Sequence, residues 1–302
     1  MAQKPECILE AGCWLGEGPC WDARDQCLYW TDIPSRRLHR WSAADGHAVW
    51  PVPNMVTALA PRRAGGLIVA ELHGLAFFDP ASGTLRPFVA PEADRPRNRS
   101  NDGGCDRQGR FWYGTMSNNL AEDGGPIEME GSTGALYRVD PDGSWRAMAT
   151  GIGISNTFAW TADDRTFYFA DTLAGIYAYD FDPAAGTVAD RRPFAMQDRP
   201  DLADRGHPDG STIDCEGFLW NCRWDGGCVI RFAPDGSIDR VVELPCSRVT
   251  SAAFGGPDLD TLYITTVTYG MDAGERAAQP LAGGLFAYDP GVRGLPQGVF
   301  AG

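Results

Sequence analysis

Lysine is nearly missing. The 302 residues contain one, Lys4, so every other basic side chain is an arginine. That excludes a phosphate-loop lysine, a Schiff-base lysine in the body of the chain and a lysine–serine dyad. Histidine occurs four times, and neither H-E-x-x-H nor G-x-S-x-G is present. A zincin helix and an α/β-hydrolase nucleophile are therefore not indicated. The nine cysteines form no C-x-x-C pair, which removes a thioredoxin-like site and a zinc knuckle. Scattered thiols of this kind read as small buried hydrophobes in a reducing compartment. Positive charge is scarce too. At a net charge of −14 no basic face can be assembled for nucleic acid, and an anionic membrane surface is disfavoured. No stretch approaches the roughly 18–20 apolar residues of a membrane-spanning helix. The acidic start, with Glu6, Glu10 and Glu17, gives no sign of a secretory leader. A cytoplasmic protein is expected.

What the chain does have is punctuation. Its 37 glycines and 22 prolines are spread along the length and read as turns. A loose unit recurs: an Asp turn, an aromatic-rich strand, then a second strand closing at Asp-Gly or Asp-Pro. The copies run through Cys27–Trp30 and Leu38–Trp41, through Leu67–Ala70 and Leu75–Pro80, and through Phe111–Tyr113 and Ala135–Asp140. The later ones run through Thr166–Phe169 and Gly175–Asp180, Phe218–Trp220 and Cys228–Phe232, and Thr261–Ile264 and Gly284–Pro290. Such alternating, β-branched and aromatic runs read as strands. A spacing of roughly 40–50 residues is that of propeller blades. Six units over residues 1–302 predict one domain, an all-β six-bladed β-propeller; a double β-sandwich is the competitor. Either the apolar Cys7–Leu9 or the apolar Gly298–Phe300 is expected to supply the strand that closes the ring.

Loops at one rim of a propeller converge on its channel. Four polar stretches are candidates: Gly16–Gly18, Asn98–Gly103, Ile154–Thr157 and His207–Ser211. Glu17, Asn156 and Asp209 form an all-oxygen set with two carboxylates, suited to one hard or borderline divalent cation: Ca, Mg, Mn, Zn or Fe(II). Three ligands leave positions open for water and substrate. Read singly, Glu17 is a solvated Gly-Pro turn residue, Asn156 a left-handed turn residue, and Asp209 a Pro-Asp-Gly turn residue like Asp142 and Asp235. Arg99 and Asn101 could bind hydroxyl and carbonyl oxygens, or belong to a solvated run with Arg95 and Arg97.

Leu15–Pro19, Asn98–Gly103, Gly114–Met116 and Pro208–Gly217 together resemble the SMP-30/gluconolactonase family of regucalcin-like proteins and sugar lactonases. The resemblance runs nearly the whole chain, to Phe254–Leu259 and Leu281–Phe286. It implies a six-bladed propeller with one divalent metal in the channel, held at Glu17, Asn156 and Asp209. Arg99 and Asn101 fall on substrate-contacting positions, and Asn119 falls where some animal members carry a substrate-contacting glutamate. The family usually has Asn-Gly where this chain has Asn156-Thr157. The implied activity is hydrolysis of a small-molecule sugar lactone such as xylono-, arabinono- or gluconolactone. Asp209 would be the general base, Asn101 would assist the oxyanion and Arg99 would hold sugar hydroxyls. A monomer is expected. The rivals are a metal-dependent esterase or phosphotriesterase, and a calcium-binding propeller without catalysis; a strictosidine-synthase-like propeller is disfavoured by the Glu17 and Asp209 motifs.

Overall fold

The computed structural model describes residues 4–302. They form six four-stranded antiparallel sheets. The first strand of each blade touches the first strands of the blades on either side, which closes a ring around a channel. These inner strands are Gly16–Asp22, Val56–Pro61, Asn98–Cys105, Ser155–Trp160, His207–Ile213 and Val249–Gly255. The architecture is the expected six-bladed β-propeller.

The N-terminal segment closes it. Glu6–Leu9 pairs with Leu285–Tyr288 as the outer strand of the sixth blade, with Cys7 opposite Phe286. The C-terminal segment does other work. Phe300 is fully buried among Phe77, Tyr113 and Tyr137. Leu295–Gly298 line the channel end away from the loops before the inner strands, and Gln297 Oε1 accepts a hydrogen bond from Trp21 N at 2.8 Å.

The Asp turns are structural. Asp214 is fully buried and accepts hydrogen bonds from Glu216 N, Phe218 N and Trp220 Nε1 at 3.0, 3.0 and 2.8 Å. Arg231 reaches the same carboxylate through Nε at 2.9 Å. Asp106 repeats the device in the third blade with Gln108 N, Arg110 and Trp112 Nε1. An Asp, a positive-φ Gly three residues on and an indole six residues on thus lock the turn to the strand it feeds. Between blades the aromatics pack in layers, as where Trp112, Trp160, Phe167 and Phe181 meet edge and face. All nine cysteines are free, and seven are buried.

Candidate metal centre and substrate pocket

The four polar stretches are not loops ahead of the core strands. They are the inner strands. Each inner strand breaks register where it faces the channel: between Glu17 and Cys20, Val56 and Ala58, Ser100 and Gly103, Asn156 and Ala159, Pro208 and Ser211, and Val249 and Ser251. A bulge twists the strand and re-aims side chains. Glu17, Asn101, Asp102, Asn156 and Asp209 all stand at or inside these breaks. Glycine supplies what the geometry needs at two of them. Gly18 has φ of +56°. A Cβ on Gly210 would lie 2.1 Å from Ser251 Oγ of the next blade, so only glycine lets the Asp209 strand approach so closely.

Glu17, Arg99, Asn101, Asn119, Asn156 and Asp209 line one cavity of about 290 Å3 at the loop end of the channel. Its walls include Leu15, Ile33, Met116, Leu120, Trp224 and Tyr269. Asp209, Asn156 and Arg99 are buried, and Glu17 opens onto the cavity. Asn156 is clamped through its amide: Nδ2 donates to Thr172 Oγ1 at 2.8 Å, and Oδ1 accepts from Asn101 Nδ2 at 3.1 Å. Thr172 in turn donates to Pro208 O at 2.9 Å, which ties the Asn156 blade to the Asp209 blade. Asn101 spends its second amide hydrogen on Ser155 O at 2.8 Å. Both its donors are therefore committed to the backbone and side chain beside Asn156, and neither is free for an oxyanion in this arrangement. Arg99 donates through Nε to Asn119 Oδ1 at 2.9 Å and through Nη1 to Ser100 O and Asn101 Oδ1 at 2.7 and 2.8 Å. Among the described residues, nothing accepts from its Nη2 or from Asn119 Nδ2.

The electrostatics favour a cation. Burial raises the Glu17 carboxyl well above its usual range, and Asp209 and Asp102 raise it further. Asp209 is raised well above its range by burial and then by Asp102. Asp102, which the sequence reading did not single out, is raised to about 7 by burial although it accepts hydrogen bonds from Gly103 N and Thr157 N. Glu17 and Asp209 thus face the cavity, with Asp102 acting on both from the strand behind it, and the nearby cations are Arg99 and Arg223, each itself lowered to about 10 by burial. A divalent ion would supply the missing positive charge, and the oxygen donors at Glu17, Asn156 and Asp209 suit a hard one.

Between about pH 4, where free carboxyls titrate, and about 7 for Asp102, the cation-free folded chain holds more protons than the unfolded chain. Its stability therefore falls as pH rises through that window, and a bound cation offsets the loss. The rise in Tm on adding calcium to chelator-stripped protein should be larger at about pH 8 than at about pH 5. Equal rises at both would contradict this reading of the carboxyl cluster.

Thr157, where glycine was expected, keeps a glycine-like backbone: its φ is +61°. A β-branched residue there is strained by about 1–3 kcal/mol. Its hydroxyl donates to Asp209 O at 2.7 Å and shares a hydrogen with Ser211 Oγ at 2.8 Å, so the side chain links two candidate ligand strands. Thr157→Val keeps the strain and loses the bonds, and should cost about 1–3 kcal/mol in chemical denaturation. Thr157→Gly relieves the strain as it loses them and should lie within about 1 kcal/mol of the parent. The reverse order would refute this balance.

Three wall residues escaped the sequence reading. The Tyr269 hydroxyl is buried without a hydrogen-bond partner among the described residues, and Tyr269 lines this cavity. Trp224 ends the strand Leu219–Trp224 and Thr172 follows the strand Thr166–Asp171, and only the assembled ring brings them to the cavity. His207 stands on the rim, exposed.

The bulged inner strands close a ring around an acidic, oxygen-lined pocket at one channel mouth, in a six-bladed propeller. Residues 15–268 match the family described as the SMP-30/gluconolactonase/LRE-like region, and the chain belongs to that family. A pentonolactonase of Haloferax volcanii is 36% identical over 96% of both chains. A 6-deoxy-6-sulfogluconolactonase of Pseudomonas putida is 36% identical over 100% of both. The crystal structure of a calcium-binding protein, regucalcin, from Agrobacterium tumefaciens superposes with a TM-score of 0.90 at 30% identity, covering 99% of this chain and 98% of the other.

Proposed function

We propose that this chain is a lactone-hydrolysing hydrolase that opens a sugar lactone, an aldonolactone, to its aldonic acid with one divalent cation in the channel pocket. The observation that carries the reading is the meeting of Glu17, Asn156 and Asp209 in a cavity that also offers unclaimed donors on Arg99 and Asn119. The names of the two lactonases, each 36% identical over nearly the whole chain, support the reaction class.

Glu17, Asn156 and Asp209 would hold the cation, which when bound supplies Lewis acidity at the lactone carbonyl. The other steps fall to the chain's own groups. Asp209 takes a proton from the attacking water through the oxygen not used as a ligand, and returns it to the ring oxygen as the C–O bond breaks. Arg99 Nη2 and Asn119 Nδ2 hydrogen-bond sugar hydroxyls. Asn101 holds Asn156 in place. The apolar wall of Leu15, Ile33, Met116 and Leu120 limits bulk water. A neutral Asn119 in place of a glutamate presents a donor, which suits hydroxyl or ring oxygens as acceptors. Pentonolactones and hexonolactones both remain within this chemistry, with xylono-, arabinono- and gluconolactone the first to try.

Relative kcat/KM on these lactones, an aryl acetate and an aryl phosphotriester tests the substrate class. One lactone is expected to exceed both aryl substrates by at least tenfold, about 1.4 kcal/mol of differential barrier. A preference for either aryl substrate would move the assignment to an esterase or phosphotriesterase. The regucalcin neighbour's description as calcium-binding supports a second reading, cation binding without turnover, which predicts no acceleration on any of them.

A further inference from the structure

A second group of metal-type ligands lies outside the channel pocket. One ligand atom each from Cys13, Asp32 and His39 lies within 4.8 Å of the others, and all three residues are buried at 2% exposure. His39 carries the independent signal. Its Nδ1 pairs with His47 Nε2 at 3.0 Å, whereas its Nε2 is buried with no hydrogen-bond partner among the described residues. A buried ring nitrogen without a partner is costly unless something occupies its lone pair.

We propose that Cys13, Asp32 and His39 form a structural cation site that takes zinc or a similar thiolate-seeking divalent ion and clamps the seam between the first and sixth blades. The donor set of thiolate, carboxylate and imidazole suits zinc and is unlike the all-oxygen channel set. One thiolate and one carboxylate balance the charge of a divalent ion, so the filled site is neutral and can be buried.

Each ligand already has an outer partner of the kind that orients metal ligands. Asp32 accepts from Trp14 N and Leu15 N at 3.0 and 2.9 Å. Trp30 Nε1 donates to Cys13 Sγ at 3.5 Å. The Trp30 indole stacks on His39 at 4.8 Å between ring centroids, and His39 Nδ1 pairs with His47 Nε2, which leaves Nε2 for the ion when Nδ1 is the donor. With Zn–S about 2.3 Å and Zn–N about 2.0–2.1 Å, tetrahedral ligand atoms sit roughly 3.5 Å apart, so closing the set takes about an ångström of side-chain movement. Water fills the fourth position.

The location gives the ion a task. Cys13 N donates to Gly283 O, and Cys13 O accepts from Thr268 N, at 2.9 and 3.3 Å. Cys13 therefore sits where the chain leaves the closing strand Glu6–Leu9 of the sixth blade and enters the first. Asp32 and His39 belong to the second and third strands of that first blade. Glu17 follows Cys13 by four residues, so the clamp also steadies the start of the Glu17 strand. Without the ion, burial and the Asp32 carboxylate push the Cys13 thiol up to about 12. Binding converts Cys13 S–H to a metal–sulfur bond and releases one proton to solvent.

Cobalt(II) added to the chelator-stripped full-length chain tests this. A near-ultraviolet thiolate-to-cobalt charge-transfer band should appear and saturate at one equivalent. It should survive Asp209→Asn and Cys222→Ser, and be lost in Cys13→Ser and weakened in His39→Gln. Zinc content should fall by one ion per chain in Cys13→Ser. No band in the parent protein, a band that survives Cys13→Ser, or a band that follows Cys222 would overturn the proposal. Should Cys13→Ser not fold, the parent titration and His39→Gln decide the matter. Lactone turnover is a separate readout, so the failure of either site is told apart from failure of the other.

Discussion

Asp209→Asn should lower kcat for the preferred lactone by at least about 10³-fold while leaving the fold intact. The substitution keeps the shape and one oxygen for a cation, and removes the proton acceptor. General-base catalysis alone is worth about 10²–10⁴, and the lost negative charge weakens cation binding besides. Measurement at saturating cation, with metal content checked, separates the two effects. The same change should stabilise the cation-free protein. Asp209 is buried beside Asp102 and Glu17, all three raised by burial or by one another, so removing one carboxyl relieves strain that the site carries for function. Reduced turnover together with a higher cation-free Tm is the expected signature. Near-normal turnover with cation bound would remove Asp209 from the role of base.

Asp214→Ala should cost about 3–5 kcal/mol in chemical denaturation, far more than a change at the exposed Asp142 or Asp235 of similar turns. The fully buried Asp214 carboxylate receives two backbone N–H groups, the Trp220 indole and Arg231, with Arg231 Nη2 at 2.7 Å. Truncation leaves those donors in a dry interior, and unsatisfied buried donors near a buried guanidinium cost more than the hydrogen bonds themselves. Arg231 keeps Asp239 and Glu216, which sets the lower end of the range. A loss below about 1 kcal/mol would show that the repeated Asp–Gly–Trp device contributes little.

These two residues mark what the sequence made legible. The Asp turns and the aromatic second and third strands of each blade could be read directly. Thr166–Asp171 and Gly175–Asp182, for example, fall where the repeat predicts them, because both faces are buried between blades and the residues are apolar. The inner strands could not be read. His207–Ile213 contains His, Pro, Asp and Gly, all poor strand formers, and its bulge breaks the alternation that reveals a strand. The same features that make it look like a loop let it carry Asp209 into the channel. Outer strands such as Trp145–Ile152 and Ile238–Glu243 are half exposed and too polar to stand out from the turns beside them.

The site divides the same way. Glu17, Asn156 and Asp209 were visible as candidate oxygen donors in similar polar stretches, the family motifs grouped them, and they line one cavity. Asp102, Tyr269 and the clamp on Asn156 were not visible, because each depends on which atoms of neighbouring blades meet. Asn101 shows the limit: an amide in a binding motif reads as a substrate contact, yet its hydrogens are committed to Ser155 O and Asn156 Oδ1.

The most direct measurement is lactone hydrolysis, followed by proton release, on chelator-stripped protein before and after each divalent ion is added back singly. Without metal, turnover no faster than spontaneous opening is expected, with restoration on one aldonolactone by at least one of calcium, zinc, manganese, magnesium or iron(II). Metal binding to the channel pocket with no acceleration of any lactone would contradict the proposed function.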